Sequence, residues 1–228
     1  MQSAVFSDKV VEFYSSLAPE FHLPKGFSVM NPYEDKVTMS LTKIFYQKYF
    51  SDKEKRIYVF GINPGRFGGG ITGIPFTDPV QLMEACHIDH GLPLKQELSS
   101  QFIYKMMTAY GGPEKFYNAF FLTAVCPLGF LNHNINANYY DSSPLISASK
   151  HFILETLKKQ IQFGCNTETC ICLGQGKNYH HLKEINTELG IFNKIIPLPH
   201  PRWIMQYRRK SADAFISEYL TVFSKLEH

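Results

Sequence analysis

The chain has 228 residues, 44% hydrophobic and 19% charged, and this fits one globular α/β domain spanning residues 1–228 with a substantial core. Its net charge of +3 and sequence pI near 8.5 are too weakly basic to mark a nucleic-acid binder on their own. No apolar run approaches the ~18 residues that cross a bilayer, and Met1-Gln2-Ser3-Ala4-Val5-Phe6 lacks a basic leader region, so a cytoplasmic location is expected.

The elements read as follows in chain order. Residues 1–50 carry two helices packed on the same core. Val10, Phe13, Tyr14 and Leu17 recur at helical spacing in the first; Asn31-Pro32 caps the second, which runs through Leu41, Ile44 and Phe45. After the charged turn Asp52-Lys53-Glu54-Lys55, the run Ile57-Tyr58-Val59-Phe60 ends at Gly61, as a buried strand feeding a functional loop does. Three similar runs follow, at Phe120–Val125, Thr169–Leu173 and Lys194–Leu198.

Helical patterns separate and follow these strands: Ile153, Leu154, Leu157 and Ile161 stopped by Gly164, then Phe215, Tyr219, Val222, Phe223 and Leu226. Strands alternating with helices predict a three-layer α/β/α fold around a mostly parallel four-stranded sheet. Asn132 to Asn138 reads as a polar, Asn-rich loop. The five cysteines, Cys86, Cys126, Cys165, Cys170 and Cys172, are odd in number and lack C-x-x-C spacing, so buried free thiols are expected rather than disulfides or a zinc site. Neither a metal nor a cofactor is expected.

Ligands of open parallel sheets bind beyond the carboxyl ends of the strands, and two such ends are chemically distinctive. The loop Gly61 to Phe76 contains six glycines, which let a backbone approach a ligand closely. It fits a phosphate cradle or a plain surface turn, but it has neither the spacing nor the lysine of a P-loop. The last strand ends in Pro199-His200-Pro201-Arg202-Trp203-Ile204-Met205, followed by Arg208-Arg209-Lys210. There a histidine precedes cations suited to phosphates and large apolar groups (Trp203, Ile204, Met205) suited to wedging into a base stack, unless the tract is a solvated face with Trp203 in the core.

Together the two loops resemble the uracil-DNA glycosylase superfamily, most closely its single-strand-selective monofunctional branch. That branch's motif G-M-N-P-G-P-F-G-M-A-Q-T-G-V-P-F aligns without a gap from Gly61 to Phe76. Its N-L-C-P-L-x-F-L is echoed by Ala124 to Leu131, and its H-P-S-P-R-N by His200-Pro201-Arg202. The resemblance covers roughly residues 56 to 226 and implies a monofunctional glycosylase acting as a monomer on DNA that contains deaminated bases. It implies that Asn63 orients the attacking water and His200 stabilises charge on the departing base. Phe76 then stacks on a flipped base, with Ile62, Gly65, Gly69 and Ala124 around it. Arg202, Trp203, Arg208, Arg209 and Lys210 hold DNA.

Two departures matter. The family has an asparagine where this chain has Ala124, so the amide that reads the uracil edge is missing; excision of xanthine and hypoxanthine besides uracil is therefore expected, with Thr123 or a residue of the Asn132–Asn138 loop as substitute donor. The His200 segment is also about two residues shorter than its counterpart. The rival readings are a non-catalytic DNA-binding module of the same fold and a nucleotide-dependent transferase that uses the glycine-rich loop for phosphates.

Overall fold

A computed structural model describes residues 4–19 and 22–227; Met1 to Ser3, part of the N-terminal leader reading, lie outside the described residues. The chain opens with α1 (Phe6–Ser15), β1 (Phe27–Met30) and α2 (Lys36–Tyr49). Asn31 caps a short 3-10 turn, Pro32–Glu34, and α2 begins one step later with Asp35 accepting from the Thr38 N–H. The Asn-Pro signal thus marks a turn, because a second and better-placed cap, the Asp35 carboxylate, follows it.

Next come β2 (Ile57–Gly61), α3 (Gly69–Thr72), α4 (Pro79–Glu84), α5 (Leu98–Tyr110), α6 (Pro113–Ala119) and β3 (Phe120–Ala124). Then follow β4 (Gly129–Asn132), β5 (Ile135–Ala137), α7 (Ser143–Ile161), β6 (Thr169–Leu173), α8 (Lys177–Leu189), β7 (Lys194–Leu198), α9 (Pro201–Tyr207) and α10 (Ala212–Ser224). The four expected strands form one parallel sheet in the order β3-β2-β6-β7. Helices cover both of its faces, giving a three-layer α/β/α fold.

Strand alternation sorts the aromatic core between those layers. Tyr58, Phe121 and Thr123 face the side that Phe6 of α1, Tyr46 of α2 and Gln160 of α7 cover. Phe120 faces the opposite side, against Tyr110 of α5, Phe116 of α6 and Phe223 of α10. All five cysteines are free and buried.

The Asn-rich segment is not a loop. It is a hairpin, β4–β5, that β1 extends into a separate three-stranded antiparallel sheet. His133 and Asn134 turn it with φ of 47° and 64°, the paired left-handed geometry of a two-residue hairpin turn, which asparagine tolerates. Helical spacing and glycine punctuation gave no sign of it, since strands this short carry little alternation.

The N-terminal elements also brace the glycine-rich loop. The Tyr33 hydroxyl donates to the Gly73 carbonyl at 3.0 Å and the Thr38 hydroxyl to the Ile71 carbonyl at 3.0 Å. Thr72 closes the loop on itself, its buried hydroxyl donating to the Thr77 carbonyl at 2.6 Å. These bonds satisfy carbonyls that a tight, irregular turn otherwise leaves without donors.

Candidate active site

The carboxyl ends of β2, β3 and β7 open into one cleft of about 480 Å³. Ile62, Asn63, Gly65, Gly69, Phe76, Ala124, His200, Arg202 and Trp203 all line it. Gly61 and His200, 139 positions apart in sequence, meet because the β2 and β7 ends point the same way.

Asn63 is held at both ends of its amide. Its Oδ1 accepts from the Tyr139 N–H at 3.0 Å and its Nδ2 donates to the Ala137 carbonyl at 3.2 Å, so the hairpin sheet fixes the side chain. Nδ2 also donates to the Pro64 carbonyl at 3.4 Å, so one lone pair of Oδ1 is what remains for a ligand. Phe76 sits at φ 57°, an uncommon conformation for a bulky residue and a local strain. Its ring lies so close over β2 that a Cβ on Gly61 would come within 2.6 Å of it, so only glycine fits there. The same ring is 6.1 Å from the His200 imidazole.

His200 caps α9: its Nδ1 accepts from the Arg202 N–H at 3.1 Å. An accepting Nδ1 puts the proton on Nε2, and desolvation, aided by the Arg202 cation, lowers the imidazole pKa to about 4. At neutral pH the ring is an uncharged donor.

Uracil DNA glycosylases are the family whose model matches this chain, over residues 47–224. The chain belongs to the uracil DNA glycosylase superfamily. It is 44% identical to the protein in the crystal structure of wild-type Pedobacter heparinus SMUG2, with 99% of each chain covered and a TM-score of 0.95. No curated protein matches it. These similarities make it a DNA glycosylase of the SMUG-like branch.

Other expected residues of the glycosylase fall into place less evenly. Trp203 is 41% exposed and leans edge-on against Phe215, with the Arg208 guanidinium 5.3 Å over its ring. It is therefore a rim residue rather than core. Arg208, Arg209 and Lys210 are exposed beyond α9 but do not line the cleft. Ile204 is fully buried and Met205 packs partly against the core, so neither can wedge into a base stack. Thr123 cannot replace the missing amide: it points to the opposite face from Ala124, is fully buried, and donates to Gln160.

Sequence reasoning missed three participants. Arg66 and Phe67 line the same cleft, with the guanidinium 4.6 Å over the Phe67 ring, and the Arg66 Nη1 donates to the Asn134 carbonyl at 2.7 Å on the hairpin turn. The third is Glu97, at the start of α5, whose backbone N–H donates to Asp78 Oδ2 at 2.7 Å. Its half-buried carboxyl lines the cleft. Desolvation raises its pKa to about 7, opposed by the Arg202 cation and assisted by Asp78. No motif surrounds Glu97, and its place in the site comes only from α5 docking.

The raised Glu97 pKa predicts a specific stability profile. The folded state binds this proton more tightly than the unfolded chain, so the contribution is full below the ordinary carboxylate range and is lost as pH rises to about 7. His200 acts oppositely, because its lowered pKa costs stability as pH falls from the ordinary imidazole range toward about 4. Glu97→Gln is therefore expected to raise the melting temperature at pH 8 and leave it unchanged at pH 4. Thermal unfolding at the two pH values checks this, and a loss of stability at pH 8 would contradict it.

Proposed function

We propose that the protein is a monofunctional glycosylase that hydrolyses the N-glycosidic bond of uracil, xanthine and hypoxanthine in DNA and so opens base excision repair. It acts as a monomer, in the cytoplasm, on single- or double-stranded DNA. The observation that carries this reading is the neutral His200 donor in the same cleft as the doubly anchored Asn63 and the Phe76 ring.

Breaking the bond leaves positive charge on the sugar and negative charge on the base. The His200 Nε2–H donates to a carbonyl of the departing base as charge collects there, and it does so without giving up a proton. The free lone pair of Asn63 Oδ1 orients a water toward the sugar carbon; its oxygen forms the new C–O bond and its proton leaves to solvent or to the released base anion. An amide is too weak a base to ionise that water, which suits capture of a sugar cation already formed.

A base inside a duplex cannot reach this cleft, so it is flipped out and stacks on Phe76. The rim supports the displaced strands. Phe67, Trp203, Tyr207 and Ile135 line the cleft and are among the most exposed large apolar side chains. Arg66, Arg202, Arg208, Arg209 and Lys210 lie beside them to meet phosphates. Ala124 contributes only a methyl group to the cleft, which supports acceptance of purine lesions as well as uracil.

The test uses oligonucleotides, single- and double-stranded, carrying one uracil, xanthine or hypoxanthine, treated with alkali after incubation. Strand scission at each lesion, dependent on alkali, is the expected result. Release of uracil alone would sink the wider substrate range, and scission without alkali would sink the monofunctional assignment. A gel shift with no base release would leave a DNA-binding module instead.

A further inference from the structure

Two polar groups in the cleft are left unused by this chemistry. They flank Gly65. A Cβ on Gly65 would lie 3.2 Å from Glu97 Oε1 and 3.7 Å from Asn136 Nδ2, so the absent side chain leaves a gap between a carboxyl and an amide. Both residues line the same cleft as Phe76, Ala124 and His200. Asp78 holds the Glu97 backbone, and the carboxyl lies against Gly68, where a Cβ would come within 2.0 Å of Oε2. The Arg66 N–H donates to Asn136 Oδ1 at 3.2 Å, which turns the Asn136 NH₂ away from Arg66. Among the described residues, neither the Glu97 carboxyl nor Asn136 Nδ2 has a hydrogen-bond partner. Half-buried polar groups without partners are costly, and a ligand edge that satisfies both recovers that cost.

Deamination supplies a common edge. It converts a ring nitrogen acceptor beside an amino donor into a ring N–H donor beside a carbonyl acceptor. Uracil, hypoxanthine and xanthine all carry this lactam and cytosine and adenine carry the reversed pattern, whereas thymine and guanine keep a ring N–H beside a carbonyl and differ by a 5-methyl and a 2-amino group. An amide N–H and a carboxylate side by side match a carbonyl and a ring N–H, whereas the reversed pattern of cytosine or adenine leaves both contacts facing like groups.

We propose that Glu97 and Asn136 form a base-reading pair, in which Asn136 donates to the base carbonyl and the Glu97 carboxylate accepts the neighbouring ring N–H. The pocket thereby reads the lactam edge itself, in place of the amide absent at Ala124. The inference rests on the glycosylase reading above and gives it a substrate class defined by chemistry. It also explains how one cleft accepts pyrimidine and purine lesions without a side chain dedicated to either.

Ionisation of Glu97 matters, because a protonated carboxyl can donate as well as accept and no longer rejects an amino group. The charged groups facing it are Arg202 of α9 and Asp78 at the start of α4, with Arg66 in the same cleft. His200 is uncharged in this range, so a change in rate near neutral pH reports on Glu97.

Single-turnover release of uracil, hypoxanthine and xanthine is measured for the wild type, Glu97→Gln and Asn136→Ala, with melting temperatures alongside. Each variant is expected to slow all three lesions by about 10- to 100-fold, the effect of one mismatched hydrogen bond. The wild-type rate is expected to rise through about pH 7, and the Glu97→Gln rate to stay level. Should Glu97→Gln not fold, Glu97→Asp, which withdraws the carboxyl by one methylene, is expected to show the same loss. Rates within about twofold of wild type for all lesions, or a loss confined to one lesion, would overturn the pair. A wild type that releases no base at all would overturn the glycosylase reading and this inference with it.

Discussion

Replacing His200 by alanine is expected to slow uracil release by about 10²- to 10³-fold, the effect of removing one preorganised donor from a developing anion. The alanine also removes the cap of α9, a helix of seven residues, which costs about 1 kcal/mol of local stability. His200→Asn separates the two effects. Asparagine caps helices well but is too short to present a donor where Nε2–H lies, so the rate is expected to fall as far with α9 intact. Asn63→Ala is expected to lose about 10²- to 10⁴-fold through the water-orienting role.

The pH dependence follows from the tautomer. With the His200 pKa near 4, the ring stays a neutral donor across the neutral range. In the Glu97→Gln background the rate is expected to be level from about pH 5 to 8. It is expected to fall as pH drops through about 4, because a protonated Nδ1 can no longer accept from Arg202. An inflection near the ordinary imidazole pKa in that background would show that His200 is not the buried neutral donor described.

Arg56→Ala is expected to be the most damaging single change to stability, by about 3–5 kcal/mol, since it strands several partners at once. The guanidinium is 1% exposed and pairs with Asp52 through two of its nitrogens. It donates to the Glu54 carbonyl at 2.8 Å and the Tyr117 carbonyl at 3.2 Å, and lies 5.5 Å and 5.4 Å from the Phe6 and Phe50 ring centres. It therefore ties α1, the end of α2, α6 and the entry to β2 together. Arg56→Lys keeps the charge but not the planar fork, and is expected to recover less than half of the loss. Urea unfolding of the three proteins measures this, and a loss below about 1 kcal/mol for the alanine variant would rule out the role.

The cleft-lining residues Asn63, Phe76 and His200 were legible because they sit in contiguous strand-end segments. Gly61 to Phe76 contains both Asn63 and Phe76, and the glycines themselves signal close backbone approach. The proposed base-reading pair was legible only in part, since the Asn132–Asn138 segment was expected to offer a substitute donor but Glu97 was not singled out. Glu97 precedes α5 by one residue with no motif around it, and Asn136 was read as part of a loop when it lies in β5. Both reach the cleft through docking of elements distant in sequence.

The same physical division runs through the whole protein. Its four-stranded parallel sheet follows from short apolar runs separated by amphipathic helices, a local pattern that one strand or helix displays on its own. The roles of its polar residues do not follow from local pattern. Arg56 stands beside an ordinary charged turn in sequence, and tertiary packing that includes Phe6, Phe50 and Tyr117 buries it. Thr123 stood as a plausible donor until strand alternation turned it toward Gln160, away from Ala124. Residues 31–42 read as helix cap and helix, yet Tyr33 and Thr38 supply the donors that hold the glycine-rich loop. Hydrophobic periodicity is fixed by neighbours a few residues away, whereas a hydrogen-bond partner is fixed by whichever chain segment the fold brings within 3 Å.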